Sequence, residues 1–371
     1  MRIAFDGTTL RPYRTGVGYY TEHLLHHLLH EAPEDEFVVV SNRSVHTSTP
    51  LPDGVRVFEG HRFPVRNVWM QTLLPIALGA IRPNVAHFTN SIIPLAKRVP
   101  TVVTIHDMTL NLFPHLHPLR KQVLTRPLVT LAAHIADAII TVSHSARQDI
   151  LRLTGMPAGR VHVIHEAAAP AFRPIRDRTL LESVRRRYGL AERLILYVGT
   201  IEPRKNLPRL IEAYARLHRA GDLQHQLVCV GPHGWGYQEV QRSIEALGLR
   251  DAIRLTGYVP FADLAPLYNL SEIFVFPSLY EGFGLPVVEA MACGTPVIAA
   301  GNSSFREIAD GAVETVDPLR TDAIAEALLR LSHDADRRRE LRRNGLLRAQ
   351  EFSWSRAARE TLAVYCAAID T

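Results

Sequence analysis

The chain has 371 residues, too many for one ordinary core and enough for two α/β domains of roughly 150–200 residues each. With 47% hydrophobic and 21% charged residues it is a folded globular protein, not a mainly disordered chain. The formal charge of +5 is a mild basic excess suited to a phosphorylated ligand or an anionic membrane surface, and no RNP-type aromatic motif or zinc finger accompanies it to indicate nucleic acid.

From the N-terminus, short apolar runs alternate with longer amphipathic stretches. Strands are expected over 2–5, 37–40, 85–88, 101–105, 138–142 and 161–164. The pattern resumes over 194–198, 226–230, 252–255, 272–276 and 296–299, with helical periodicity filling most gaps. Strands alternating with helices predict parallel sheets built of βαβ units. Residues 165–174, HEAAAPAFRP, carry two prolines and no period and read as a linker. The fold class expected is therefore α/β, with two doubly wound parallel-sheet domains over 1–170 and from 175 onward. Such sheets bind ligands at the carboxyl ends of their strands, and two facing domains would form a cleft.

Cys229, Cys293 and Cys366 are odd in number and lack metal or redox spacing, so buried free thiols in a reducing compartment are expected. The first residues already read as a strand, and no apolar run approaches the roughly 18 residues of a membrane span. A cytoplasmic protein, with peripheral contact at the inner membrane face left open, is the matching expectation.

The most specific string is SLYEGFGLPVVEAMACGT, residues 278–295. Glu281 and Glu289 flank the sequence Gly282-Phe283-Gly284-Leu285, and Pro286 suits the first turn of a helix. Glycines allow close backbone approach, a helix N-terminus presents free N–H groups to anions, and paired carboxylates grip sugar hydroxyls. A bland strand–turn–helix with two surface glutamates would not need the whole string. GTIEPRKN, residues 199–206, follows an expected strand and puts Arg204 and Lys205 just before a helix. A helix dipole disfavours cations there, whereas a departing diphosphate needs them.

TVVTIHD ends a buried-type strand and aims His106 out of its carboxyl end. A lone histidine is more often structural, and position alone argues otherwise here. Asp107 either orients His106 or caps the next segment. Thr15-Gly16-Val17-Gly18-Tyr19 opens the first helix. A dinucleotide fingerprint fails, because Thr21 replaces the third glycine and Ser41-Asn42, not an acid, follows the next strand. Gly16 and Gly18 better suit a loop facing a diphosphate or an acceptor. Thr256-Gly257-Tyr258-Val259 is another strand exit. His23, His26, His27 and His30 have helical spacing, but the interleaved leucines favour packing, with the histidines at the helix edge, over a metal site.

The string from Ser278, read with these motifs, resembles the signature of the family 4 glycosyltransferases. The resemblance extends over nearly the whole chain and is looser in the first half. It implies the GT-B fold of two Rossmann-like domains facing across a cleft, a nucleoside-diphosphate-sugar donor on the C-terminal domain (175–350), retention of anomeric configuration, and no metal or cofactor. It implies that Glu281 contacts the donor sugar, that the backbone of Phe283, Gly284 and Leu285 contacts sugar and diphosphate, and that Glu289 holds the ribose. Arg204 and Lys205 would bind the diphosphate, Gly199 would lie at that loop, and Tyr258 and Val259 would adjoin the base. His106 would hydrogen-bond the donor sugar, and the Gly16–Gly18 loop would close over the phosphates. The terminal segment 351–371 would cross back to the N-terminal, acceptor-binding domain (1–170).

The TGVGYY form, after Asp6-Gly7, is similar to GDP-mannose-type mannosyltransferases and favours GDP-mannose over a UDP-sugar. The acceptor expected is a glycan or lipid-linked saccharide. Phe305-Arg306-Glu307 stands where family members often carry Leu-Pro-Glu. A sugar-nucleotide epimerase of the same fold and a non-catalytic nucleotide-sugar-binding protein are the alternatives.

Overall fold

Buried on both faces, parallel strands need near-continuous apolar sequence, and these runs supply it. β1 (Arg2–Asp6), β2 (Glu36–Ser41), β3 (Arg56–Glu59), β4 (Val85–Phe88), β5 (Thr101–Thr104), β6 (Ala138–Thr141) and β7 (Val161–Val163) form one parallel sheet in the order β3-β2-β1-β4-β5-β6-β7. β8 (Leu194–Val198), β9 (Gln226–Val230), β10 (Ile253–Gly257), β11 (Ile273–Phe276), β12 (Val297–Ala300) and β13 (Glu314–Val316) form a second in the order β10-β9-β8-β11-β12-β13. The computed structural model, which describes residues 1–60, 63 and 65–370, divides into two units. One comprises Met1–Glu166 and the chain from Ser353 onward; the other is Ala167–Phe352.

Each sheet reverses its order once, between β1 and β4 in the first unit and between β8 and β11 in the second. At such a switch point the two crossover connections leave in opposite directions and open a crevice outside the strand ends. The sequence reading missed β3 and β13. Both are edge strands: every residue of β3 is exposed, and β13 buries only Val316. With one neighbour each they need no continuous apolar run.

The helix Leu207–Ala220 buries Leu210, Ile211, Tyr214 and Leu217, a 3-4 stripe, packs beside the helices Tyr237–Ala246 and Thr321–His333, and ends at Gly221 with φ +79°. In the first unit the terminal helix Trp354–Ile369 packs along the helix Gly16–Glu31. The buried Tyr365 hydroxyl lies 2.6 Å from His87 Nδ1. Leu24, Leu25 and Leu28 are buried, His23, His26 and His27 lie half-buried at the helix edge, and His30 is exposed. The His23 and His27 rings lie 5.6 and 6.5 Å from the Trp354 ring, and His26 Nε2 is 3.2 Å from the Thr49 hydroxyl. Burial, then neighbouring His27, His26 and Arg14, lowers His23 to about 4. Among the described residues no group of three or more His, Cys, Asp and Glu could hold a metal ion. Cys229 and Cys293 are buried free thiols, but Cys366 is exposed on the outer face of the terminal helix. Thr371, the last residue of the expected 351–371 segment, lies outside the described residues. Among the described residues no helix is long and apolar enough to cross a membrane.

Candidate active site

In the second unit, the loops leaving β8 and β11 meet at the switch point. Gly231 has φ +150°, and a Cβ on it would stand 2.0 Å from the Gly199 carbonyl oxygen, so glycine there lets two strand exits touch backbone to backbone. The chain then makes a single 3-10 turn, Pro203–Lys205, ended by Asn206 in the left-handed region at φ +60°. The Asn206 amide donates to the carbonyls of Pro277 (3.0 Å) and Pro318 (2.7 Å), which ties this turn to the end of β11.

That anchorage points Arg204 and Lys205 at Glu281. Lys205 Nζ lies 2.6 Å from Glu281 Oε1, and Arg204 Nη1 lies 3.0 Å from Oε2. Arg204 Nη2 also pairs with Glu202 at 2.8 Å, and the Ser278 hydroxyl donates to Glu281 Oε1 at 2.6 Å. All of these groups are largely buried. Burial alone would raise the Glu281 carboxyl; Arg204, Lys205 and Ser278 outweigh it and hold it at about 2. Burial and the Arg204 charge lower Lys205 despite its carboxylate partner. Two cations therefore stand against two carboxylates, and the cluster is neutral as it stands.

Past Glu281 the chain turns through Gly284, with φ +105°, into the helix Leu285–Cys293. A Cβ on Gly284 would lie 2.4 Å from Phe305 Cε1. This helix begins with Pro286 in its first turn, and its first N–H groups have no intrahelical acceptor. Glu289 is the fifth residue of the helix; it is buried, and it accepts the Tyr268 hydroxyl at 2.8 Å. Val259 is buried and Tyr258 half-buried, just beyond β10, whose last residue Gly257 accepts from Gly231 N at 2.9 Å.

Three residues to which the sequence alone assigns no role brace this segment. Asn302 donates to the Leu279 carbonyl (2.8 Å), the Glu281 N–H donates to Ser303 Oγ (3.1 Å), and Ser304 Oγ donates to the Phe283 carbonyl (2.6 Å). The departure at Phe305 has a physical role too, because its ring occupies the space that Gly284 leaves open.

In the first unit His106 stands just past β5. Its Nε2 lies 2.9 Å from the Thr89 carbonyl and its Nδ1 lies 3.2 Å from Glu166 Oε1. A carbonyl and a carboxylate only accept, so the ring carries both protons. Burial opposes that charge; the Glu166 hydrogen bond and charge, with Thr89 and Asp107, override it and raise the His106 pKa. Glu166 is a site-shaping residue that sequence reasoning passed over. Asp107 makes an Asx turn into the next segment: its Oδ1 accepts the Thr109 N–H at 2.9 Å and the Thr109 hydroxyl at 2.5 Å, while its charge also favours the His106 cation. At the helix opening, a Cβ on Gly18 would come within 3.0 Å of Arg14 and of the Thr9 carbonyl, whereas one on Gly16 would meet nothing within 4 Å. Gly18 serves packing, and Gly16 keeps an open surface.

Two family models match the chain: Glycosyltransferase Family 4 over residues 14–170 and Glycosyl transferases group 1 over residues 183–348. The O-antigen chain mannosyltransferase B of Escherichia coli is 35% identical over 266 residues, 71% of this chain and 69% of that protein. The serotype-specific mannosyltransferase WbdA of Escherichia coli is 34% identical over 60% of this chain, which spans only 28% of that longer protein. Among solved structures, the sucrose-phosphate synthase of Thermosynechococcus elongatus superposes with a TM-score of 0.80 over 98% of both chains at 22% identity, a likeness of fold. The relative matched over two thirds of both lengths, with the two family models on successive parts of the chain, settles the assignment: the chain belongs to the family 4 glycosyltransferases and is a nucleotide-sugar-dependent hexosyltransferase of the GT-B fold.

Proposed function

We propose that this enzyme moves mannose from GDP-mannose to a hydroxyl of a glycan or lipid-linked saccharide, retaining the anomeric configuration and using no metal ion. The observation that carries the reading is the neutral Arg204–Lys205–Glu281–Glu202 cluster at the β8/β11 switch point. A diphosphate is the ligand whose arrival such a cluster answers. Its charges take over the two cations, and Glu281 turns to the sugar hydroxyls. The mannosyltransferase names of the two Escherichia coli relatives support mannose.

In this mechanism the bond from the anomeric carbon to the diphosphate oxygen breaks while a bond to the acceptor oxygen forms on the same face. The acceptor proton passes to the departing phosphate oxygen, so no protein base is needed. Arg204 and Lys205 stabilise the negative charge that grows on that oxygen, in a buried setting where fixed charges act strongly. The backbone N–H groups of Phe283, Gly284 and Leu285, which lead into the helix, add partial positive charge. Glu289 holds the ribose, Gly199, Tyr258 and Val259 line the nucleotide, His106 donates to a sugar hydroxyl, and the Gly16–Gly18 loop contacts the phosphates.

The test is calorimetric titration with GDP, UDP and ADP in the presence of EDTA. Selective binding of GDP is expected. Selective binding of UDP would overturn the GDP-mannose assignment, and binding of none of the three would overturn the donor site.

A further inference from the structure

The connection that follows His106 carries apolar side chains that the fold does not bury. It leaves the carboxyl end of β5 through the short helix Thr109–Leu112 and the 3-10 turn Pro114–Leu116, then continues as the helices Leu119–Leu124 and Arg126–Ile135 before β6. The helix Arg126–Ile135 has an ordinary inner face, with Val129, Ala132 and Ala133 buried. The helix Leu119–Leu124 buries no residue, and neither does the 3-10 turn before it. Leu119, Val123 and Leu124 are 74%, 64% and 54% exposed, and Leu131 on the following helix is exposed as well. Exposed aliphatics scattered singly are normal on a protein surface; three in a six-residue helix with no buried face are not. So short a helix gains little stability from its own backbone bonds in water, and its apolar side chains call for a partner.

The charge on this stretch is one-sided. Between Glu59 and Asp137 the sequence holds eight Lys and Arg but a single carboxylate, Asp107. Arg120, Lys121 and Arg126 are exposed among the same leucines and valine. Among the described residues, Arg120 and Arg126 pair with no carboxylate. The carboxylates nearest along the chain are engaged elsewhere: Asp107 by Thr109, Asp137 by Lys97 and the Thr101 N–H, and Asp149 by Arg152. Exposed apolar area and exposed positive charge therefore occupy the same few residues.

We propose that the helix Leu119–Leu124, with the start of the helix after it, docks on the surface of a bilayer that contains anionic phospholipid. Leu119, Val123 and Leu124 would enter the boundary between headgroups and acyl chains, while Arg120, Lys121 and Arg126 would reach lipid phosphates on their long stems. The segment lies on the bilayer and does not cross it, since a crossing needs about 20 apolar residues. A second copy of the chain fits this face less well, because a two-fold interface sets a patch against itself and would bring these cations together. The proposal stands without the donor reading. Its consequence for the acceptor is one of position: the docking helix belongs to the connection that begins at His106, so a docked enzyme would hold the carboxyl end of the first sheet towards the headgroups, where a lipid-linked saccharide lies.

The test is flotation of the full chain with vesicles of phosphatidylcholine alone and of equal parts phosphatidylcholine and phosphatidylglycerol. Two double variants are compared with wild type, Leu119→Ser/Val123→Ser and Arg120→Gln/Arg126→Gln. All four side chains are exposed and none belongs to the site described above, so Tm and turnover in solution should not change. Wild type is expected to bind the mixed vesicles about tenfold or more tightly than phosphatidylcholine alone, and each double variant to lose about tenfold or more of that affinity. Added salt should erase the difference made by the arginines and leave the one made by leucine and valine.

No binding of wild type to the mixed vesicles overturns the proposal. So does equal binding by all three proteins, or a loss confined to one of the two variants. A dimer in sedimentation velocity that the Leu119→Ser/Val123→Ser variant dissolves would give the face to a second copy and overturn it too. Should either variant fail to fold, hydrogen exchange of wild type decides. Mixed vesicles are expected to slow the amides of residues 117–126, and unchanged exchange there, with protection at another segment, overturns the docking helix.

Discussion

Replacing Lys205 with alanine separates the charge aimed at the leaving group from the charge that keeps Glu281 folded in place. In that variant Glu281 loses the ammonium 2.6 Å away but keeps Arg204 at 3.0 Å and the Ser278 hydroxyl at 2.6 Å. The carboxylate is therefore not stranded, and the stability loss should be about 1–3 kcal/mol, below the ~3–5 kcal/mol typical of a buried charge left alone. The transition state has no such reserve. In the proposed mechanism one of the two side-chain cations facing the departing diphosphate is then gone, and removing a preorganised charge-stabilising group lowers turnover about 100- to 1000-fold, or roughly 2.7–4 kcal/mol. The assay is steady-state release of nucleoside diphosphate at saturating donor, with thermal unfolding of the same sample as the control for folding. Lys205→Met, which keeps the aliphatic stem near the Phe276 ring that now lies 5.0 Å from the ammonium, should lose turnover equally. Turnover within about threefold of wild type in folded protein would refute the role given to Lys205 and leave the pair with Glu281 as structural.

Three further outcomes are expected. Glu281, held at about 2 against an ordinary 4.5, has a depressed folded pKa, so its stabilisation is present above pH 4.5 and is lost as the pH falls towards 2. The Tm gap between wild type and Glu281→Gln should shrink across that window, and a gap constant with pH would contradict the ion pair. His106 has a raised folded pKa, so its contribution is present below the ordinary 6.5 and is lost as the pH rises through the folded value. In Glu166→Gln the His106 titration midpoint followed by NMR should drop, and an unchanged midpoint would deny the pairing. Gly284→Ala forces a side chain to φ +105° and a Cβ to within 2.4 Å of Phe305, so urea unfolding should show about 1–3 kcal/mol lost. A loss below about 0.5 kcal/mol would mean that the turn relaxes freely.

What the sequence made legible follows from physics with a local signature. Most of the eleven expected strands lie inside parallel sheets and show as apolar runs, and β7 and β10, though at sheet edges, keep buried Val161 and Ile253. The edge strands RVFE and ETV carry no such signature, because RVFE is exposed throughout and ETV buries only its last residue. Within the site, the string from Ser278 was readable because loop glycines, a first-turn proline and two glutamates sit in one stretch. Asn302, Ser303 and Ser304 were not, because they reach that stretch from beyond β12 and resemble any polar loop. Glu166 was hidden in a segment without periodicity, and its partnership with His106 arises only when β5, β6 and β7 line up side by side. Asp107 is the instructive middle case: its spacing to Thr109 carries an Asx-turn signal, and the structure shows that signal to be the answer.

Retaining transfer of mannose from GDP-mannose can be followed directly as the first sugar product by proton NMR, with EDTA present and water as the acceptor. GDP release is expected with α-mannose appearing first, before mutarotation, and both signals should fall about 100-fold or more in Lys205→Ala. β-Mannose appearing first, or GDP-mannose left intact while a UDP-sugar is consumed, would contradict it.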